Sequence, residues 1–399
     1  MVVVRLPMAA KNLSPFSAAD LNQLSLGCAA TLGLMDYESR QQNLRSKLSR
    51  HRLDGLLIVH LPNIRYLSGF TGSSAILVVT ESKSVFFSDG RYSAQAKAEV
   101  QGAKVMISRK APILTAAEWM LRNRPKLGKS RIRVGIEGDH LSVAARTRLL
   151  NTLSSKFLLR EAPPIIEQAR MVKDAAEIEL IRRAVRLGSS LFDRILETIR
   201  PGISEAEVAW ELEYAARKSG ADDMSFPTII ASGERSSLPH GRASQAAIPP
   251  QAFVVCDFGV ILSGYCSDMT RTVYVGRPTA EAHKFYQAVR DAQQAAIEAV
   301  RPGVSVGEVD QAARKLLRRE GLSKYFTHST GHGVGLEIHE APRVAAGLSE
   351  TLRPGVIITI EPGVYIPGKC GVRIEDMVVV TEHGCEILTA TSKELTAVV

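Results

Sequence analysis

The chain has 399 residues, enough for two or three domains with cores of their own. Its 45% hydrophobic and 23% charged residues describe a folded globular protein rather than a disordered one, and its 30 glycines show no period of three. No run approaches the ~18 apolar residues that would span a bilayer. The net charge of +9 permits an anionic partner without arguing for one, so neither nucleic acid nor membrane is expected as a partner.

Residues 1–35 read as an extension expected to be poorly ordered. Lys11, Asn12, Ser14, Asp20, Asn22 and Gln23 interrupt every apolar run, so a secretory leader is not expected. Met35 is followed at once by a helical pattern and is a second candidate start. The cysteines Cys28, Cys256, Cys266, Cys370 and Cys385 are odd in number and form no CxxC. That points away from a disulfide framework and towards a reducing, cytoplasmic setting.

A charged helix is predicted over residues 37–52, followed by buried strands over 55–59, 75–79 and 84–88. Helical patterns cover 92–100 and 113–121, and another strand covers 133–136. Strands alternating with helices predict an α/β domain that ends near the Pro163–Pro164 pair and carries no catalytic pattern.

A second unit starts at Asp174, where Asp174 and Glu177 form a capping-box pattern ahead of an apolar helical stripe. RPGISEAEV begins at Arg200 and RPGVSVGEV at Arg301; Gly220 and Gly321 repeat at the same offset of 101. In each copy Ser-x-x-Glu (Ser204/Glu207, Ser305/Glu308) opens a helix. A histidine between small residues follows, His240 in one copy and His332 in the other, and then two acid-bearing strands. The region reads as an internal duplication with a pseudo-twofold axis and a cleft at that axis.

In the first copy, Asp257 ends a buried strand and Asp268 lies on the returning one. A turn near Leu262–Ser263 would set the two acids face to face. In the second copy, Glu361 and Glu375 stand symmetrically about Gly368. Facing, buried carboxylates repel unless they share protons or hold a cation. Four acids and the imidazole of His332 make an oxygen-rich set suited to Mn²⁺, or to Co²⁺ and Fe²⁺, and its charge suffices for two divalent ions.

GHGVGLEIHEAP, GYCSDMTRT, IEPGVY and GVRIEDMVVV resemble the pita-bread metallopeptidases, and within them the Xaa-Pro group of aminopeptidase P and prolidase. NIRYLSGFTGSSA and FFSDGRY resemble that group's creatinase-like N-terminal domain. The resemblance implies an α/β creatinase-like domain over residues 36–165 and an α+β pita-bread catalytic domain over 166–399. It implies two divalent ions, Mn²⁺ first and Co²⁺, Fe²⁺ or Zn²⁺ after it, held by Asp257, Asp268, His332, Glu361 and Glu375. Glu361 would also carry a proton from the attacking water. His240 and His339 would bind substrate and assist catalysis, and Arg373 would brace the carboxylates.

The activity so implied is hydrolysis of the bond before a proline in second position, by a homodimer. The ASGERSSLPHG stretch inclines the expectation to the aminopeptidase, with the dipeptidase as the alternative. A metal-independent creatinase-type C–N hydrolase and a non-catalytic binding module would each lack the full ligand set. Methionine aminopeptidases share the ligands without such an N-terminal domain.

Overall fold

The structure, a computed structural model, describes residues 3–5, 35–123 and 131–399. It divides into two compact units, the first being Met35–Arg170. Here six strands form one mixed sheet in the order Lys104–Ser108, Ser84–Asp89, Ile76–Thr80, Gly55–Ile58, Ile132–Ile136, Phe157–Glu161. Its central strands are uninterrupted apolar runs and are buried along their whole length, as a sheet covered on both faces requires. The strands at the two sheet edges, Lys104–Ser108 and Phe157–Glu161, are partly exposed and lack that signal.

LPNIRYLS forms the helix Leu61–Ser68, which Gly69 ends in the left-handed conformation at φ 82°. Its N-terminus is capped from across the sheet: Val59 N and His60 N donate to the Glu137 carboxylate at 2.6 and 2.7 Å. A cap supplied by a distant residue leaves no local pattern. The helix Ile165–Arg170 packs on Tyr37–Leu48 and Leu61–Ser68, and Arg170 donates to Asn63 Oδ1 at 2.7 Å. The first unit therefore ends after Arg170, not at residue 165 as expected.

The second unit covers Met171–Val399. Val3–Arg5 joins it as an edge strand parallel to Thr396–Val398, a departure from the expected disorder; the remainder of residues 1–34 lies outside the described residues. The duplication is visible in the backbone. Gly202 and Gly303 adopt φ 85° and 86°, and their N–H groups donate to Ile248 O at 2.9 Å and Leu352 O at 3.0 Å. Ser204 and Ser305 then cap the helices Glu205–Lys218 and Val306–Arg319 in complete capping boxes. Each half contributes a sheet whose central hairpin carries the acids: Ala252–Phe258 with Met269–Val275, and Ile357–Ile360 with Asp376–Val380. In the second half, Ile358, Ile360 and Val378 share a core with Val289, Ala292 and Ala296 of the helix Ala280–Ala299. Among the described residues no helix is long and apolar enough to cross a membrane, and Cys256, Cys266, Cys370 and Cys385 are free thiols.

The two hairpins differ in register. In the second, Ile360 pairs with Asp376 and Gly363 with Arg373, so the same register carries Glu361 opposite Glu375. In the first, Asp257 pairs with Thr270, not with Asp268. The turn there is Ser263–Gly264, with φ 51° and 78°. Positive φ at both central residues marks the primed two-residue turn that suits strand twist. This turn lies one residue beyond the expected one and slips the pairing by two. Side chains alternate with period two, so Asp257 and Asp268 keep the same face.

Candidate metal centre

The acids meet in one cavity of about 570 Å³ within the second unit, lined by Asp257, Asp268, His332, Glu361 and Glu375 and by His240 and His339. Asp257, Asp268 and Glu375 are 7%, 4% and 2% exposed, which removes the water that would otherwise stabilise their charges. Burial first, then Glu375, raises Asp268 well above the ordinary carboxylate range. Burial and then Glu361 do the same for Glu375, and burial lifts Glu361 to about 7. The Oδ1 atoms of Asp257 and Asp268 are buried with no hydrogen-bond partner. Buried carboxylate oxygens that converge without hydrogen-bond partners are the donor set a hard or borderline divalent cation requires. Asp268, His332 and Glu375 each place a ligand atom within 4.8 Å of the others.

His332 is prepared as a neutral donor. Burial lowers its pKa, and its Nδ1 lies 3.0 Å from Gly333 O. That carbonyl accepts a hydrogen bond from Nδ1–H in the tautomer that leaves a lone pair on Nε2, which lies 3.5 Å from both Asp268 Oδ2 and Glu361 Oε1. The flanking glycines are required by the sheet. A Cβ on Gly331 would stand 1.9 Å from Thr359 O, and one on Gly333 would stand 2.2 Å from Ala341 O.

Arg373, 3% exposed, is the hub behind the acids. It donates to the Asp257 carboxylate, to the Tyr365 hydroxyl, to Thr270 Oγ1 at 3.1 Å and to Pro239 O at 3.0 Å. Thr270 Oγ1 in turn donates to Glu375 Oε2 at 2.7 Å, so Arg373 reaches acids from both halves. Tyr365 lies 3.0 Å from His328 Nε2, whose ring burial holds at about 4 and therefore neutral. Thr270, Tyr365 and His328 were not singled out in the sequence. Thr270 and Tyr365 fall inside the quoted DMTRT and EPGVY segments, but only the pairing of strands reveals their role.

The two remaining histidines are exposed at the cavity. His332 and His240 are not counterparts as the sequence suggests. His332 lies on the strand Gly331–Gly333, whereas His240 lies in the loop beyond the strand Ile229–Ser232 and a short 3-10 turn. The element order pairs His240 with His339, which follows Gly331–Gly333 in the same way. His339 packs edge-on against His332 with ring centres 4.4 Å apart. Besides Arg373, two cations line the same cavity: Arg242, and Arg343, which is exposed and pairs with His332 across the adjoining strand.

A second histidine-bearing group among the described residues, His60, His140 and Glu167, lies in the first unit. Its two rings stack face to face 3.6 Å apart, so their in-plane lone pairs run parallel and do not converge on one ion.

The sequence profile of metallopeptidase family M24 matches residues 179–382, and that of the creatinase/prolidase N-terminal domain matches residues 40–172. The chain is 37% identical over 363 residues to an Xaa-Pro dipeptidase of Pyrococcus furiosus, covering 90% of this chain and 99% of that protein. Among solved structures, it is similar to an Xaa-Pro dipeptidase from Bacillus anthracis, with 37% identity, a TM-score of 0.86 and coverage of 91% and 100% of the two chains. It is similar also to an X-Pro aminopeptidase from Thermotoga maritima, with 35% identity, a TM-score of 0.80 and coverage of 88% and 99%.

Proposed function

The chain belongs to metallopeptidase family M24 and is a peptidase with a creatinase/prolidase N-terminal domain, and from that premise we propose that it is an Xaa-Pro dipeptidase dependent on two divalent cations, Mn²⁺ foremost. The observation that carries the reading is the convergence of four acids and one neutral imidazole, drawn from both halves of a duplicated unit, in a single cavity. Asp257, Asp268, His332, Glu361 and Glu375 would hold the ions. Bound cations supply Lewis-acid polarisation of the scissile carbonyl and a water acidic enough to attack at neutral pH.

The protein's own groups do the rest. Glu361 takes the proton of the attacking water and returns it to the departing prolyl nitrogen. His240 and His339 orient the substrate and stabilise charge at the reacting carbonyl. Arg373, through Asp257 and Thr270, fixes the acids before substrate arrives.

Dipeptide length is favoured over longer peptides by Arg343. A guanidinium exposed in the cavity beside His332 is placed to receive the free carboxylate of a C-terminal proline. The ASGERSSLPHG stretch, which inclined the expectation to an aminopeptidase, builds the turn and loop that present His240.

Turnover of Ala-Pro against Ala-Pro-Ala tests the reading. The dipeptide is expected to be the better substrate, and Arg343→Ala is expected to raise KM for Ala-Pro with little change for the tripeptide. Preferential cleavage of Ala-Pro-Ala would return the assignment to the aminopeptidase.

A further inference from the structure

The segment 334–340 that presents His339 is folded around a buried carboxylate. Glu340 Oε1 accepts from Glu337 N at 3.1 Å, and Gly335 N donates to Glu337 O at 3.1 Å. Gly335 O accepts from Cys266 N at 2.8 Å, tying the segment to the first half. The carboxylate packs so closely that a Cβ on Gly335 would lie 2.6 Å from Glu340 Oε2.

That second oxygen is met by Lys173 Nζ at 3.1 Å, with the lysine side chain 1% and the glutamate side chain 6% exposed. Lys173 is itself fixed: its N–H donates to Gly355 O at 2.9 Å, beside the bridge between Val172 and Val356 that begins the second unit. Glu340 lines the same cavity, but the mechanism above uses neither Lys173 nor the bond it makes.

We propose that Lys173 is a positioning residue which, through the Glu340 carboxylate, holds the 334–340 segment in the one conformation that sets His339 against His332. The geometry gives the reason. A buried carboxylate keeps its place only while its charge is matched, and Glu340 is the residue directly after His339. Loss of the ammonium leaves Glu340 to seek water or a proton, and the loop that wraps it must move. A displacement of about 1 Å at a reacting group is enough to cost about 10²-fold in rate.

The proposal rests on the peptidase reading for its rate measurements, so one measurement does not depend on rate. Lys173→Met alone strands a charge and endangers folding; the paired change Lys173→Met with Glu340→Gln removes both charges and leaves the amide able to accept from Glu337 N. In the metal-loaded protein, this pair is expected to melt near the parent and keep its metal content. It should exchange amide hydrogens faster across residues 334–340 and lose about 10–100-fold in kcat on Ala-Pro. Lys173→Arg should restore most of the rate.

In a His339→Ala background the paired change should cost nothing further, because the two act through one group. Equal losses in both backgrounds would reduce the pair to a general structural contact and overturn the proposal. Unchanged kcat with unchanged exchange would overturn it as well. If the parent protein itself fails to cleave Ala-Pro, the peptidase reading falls. Exchange across 334–340 then decides alone: acceleration supports the positioning role and no change refutes it.

Discussion

In the second half of the catalytic unit the acid-bearing hairpin is symmetric about Gly368, and its register carries Glu361 opposite Glu375. In the first half the Ser263–Gly264 turn slips the pairing, and Asp257 faces Thr270. The slip has a consequence. In place of an acid opposite it, Asp257 receives Arg373 from the second half, while Thr270 reaches over to Glu375. Arg271, 2% exposed, extends the same crossing, donating to Glu375 O and to the Asp376 carboxylate. The halves therefore share a face and an element order but not their side-chain pairs. Duplication supplies the scaffold, and turn chemistry decides which residues meet.

The strongest way to break this comparison is to remove an acid from either half. Asp268→Asn and Glu375→Gln should each lower kcat by about 10³-fold or more, the scale on which single electrostatic stabilisers act, with a parallel fall in bound metal measured by elemental analysis. If Asp268→Asn were harmless while Glu375→Gln was not, the second half would constitute the site by itself.

Next in size are the histidines. His240 and His339 occupy matching places in the two halves, so their alanine variants should behave alike: metal retained, kcat down by about 10²–10⁴-fold. His332→Ala has no counterpart in the first half and should lose metal instead. A His240→Ala protein stripped of metal would place that residue among the ligands.

Much of this was legible in the sequence. The matched offset of 101 predicted the duplication, and the symmetry of 361 and 375 about Gly368 predicted their pairing, because Gly368 does sit at the hairpin centre with φ 69°. The first hairpin misled by one residue, since Leu262–Ser263 and Ser263–Gly264 are equally plausible until positive φ is demanded of both turn positions. The resemblance already marked Arg373 as a brace for the carboxylates, but its contact with Asp257 and the Lys173–Glu340 pair were beyond reach. Their partners lie 116 and 167 residues away, and nothing local marks such a contact. In the first unit, the helix capped by Glu137 was lost for the same reason.

A moderate effect should come from removing metal. The folded pKa of Glu361, about 7, stands above its ordinary 4.5. Between those values the folded form keeps a proton that the unfolded form has released, so stability falls as pH rises through the window and stays lower above it. The loss is on the order of 3 kcal/mol for this group. Chelated protein should thus melt lower at pH 8 than at pH 5, and added Mn²⁺ should raise the melting temperature most at pH 8. A metal-free protein equally stable at both pH values would mean that the acids do not repel one another as their burial demands.

The smallest effect separates turn from strand in the half whose hairpin is symmetric about Gly368. Gly368 holds φ 69° and a Cβ there would touch nothing within 4 Å, so Gly368→Ala carries only the backbone cost of a left-handed residue, about 1 kcal/mol. The hairpin has other anchors. Gly371 N donates to Ser236 Oγ at 2.8 Å, and Arg373 N donates to Thr272 Oγ1 at 3.1 Å. These fix the return strand independently of the turn, so the facing of Glu361 and Glu375 should survive. The denaturation midpoint should drop by that small amount while kcat and metal content stay at parental values. A fall in kcat of tenfold or more would show that the turn, and not the anchored strands, sets the carboxylate pair.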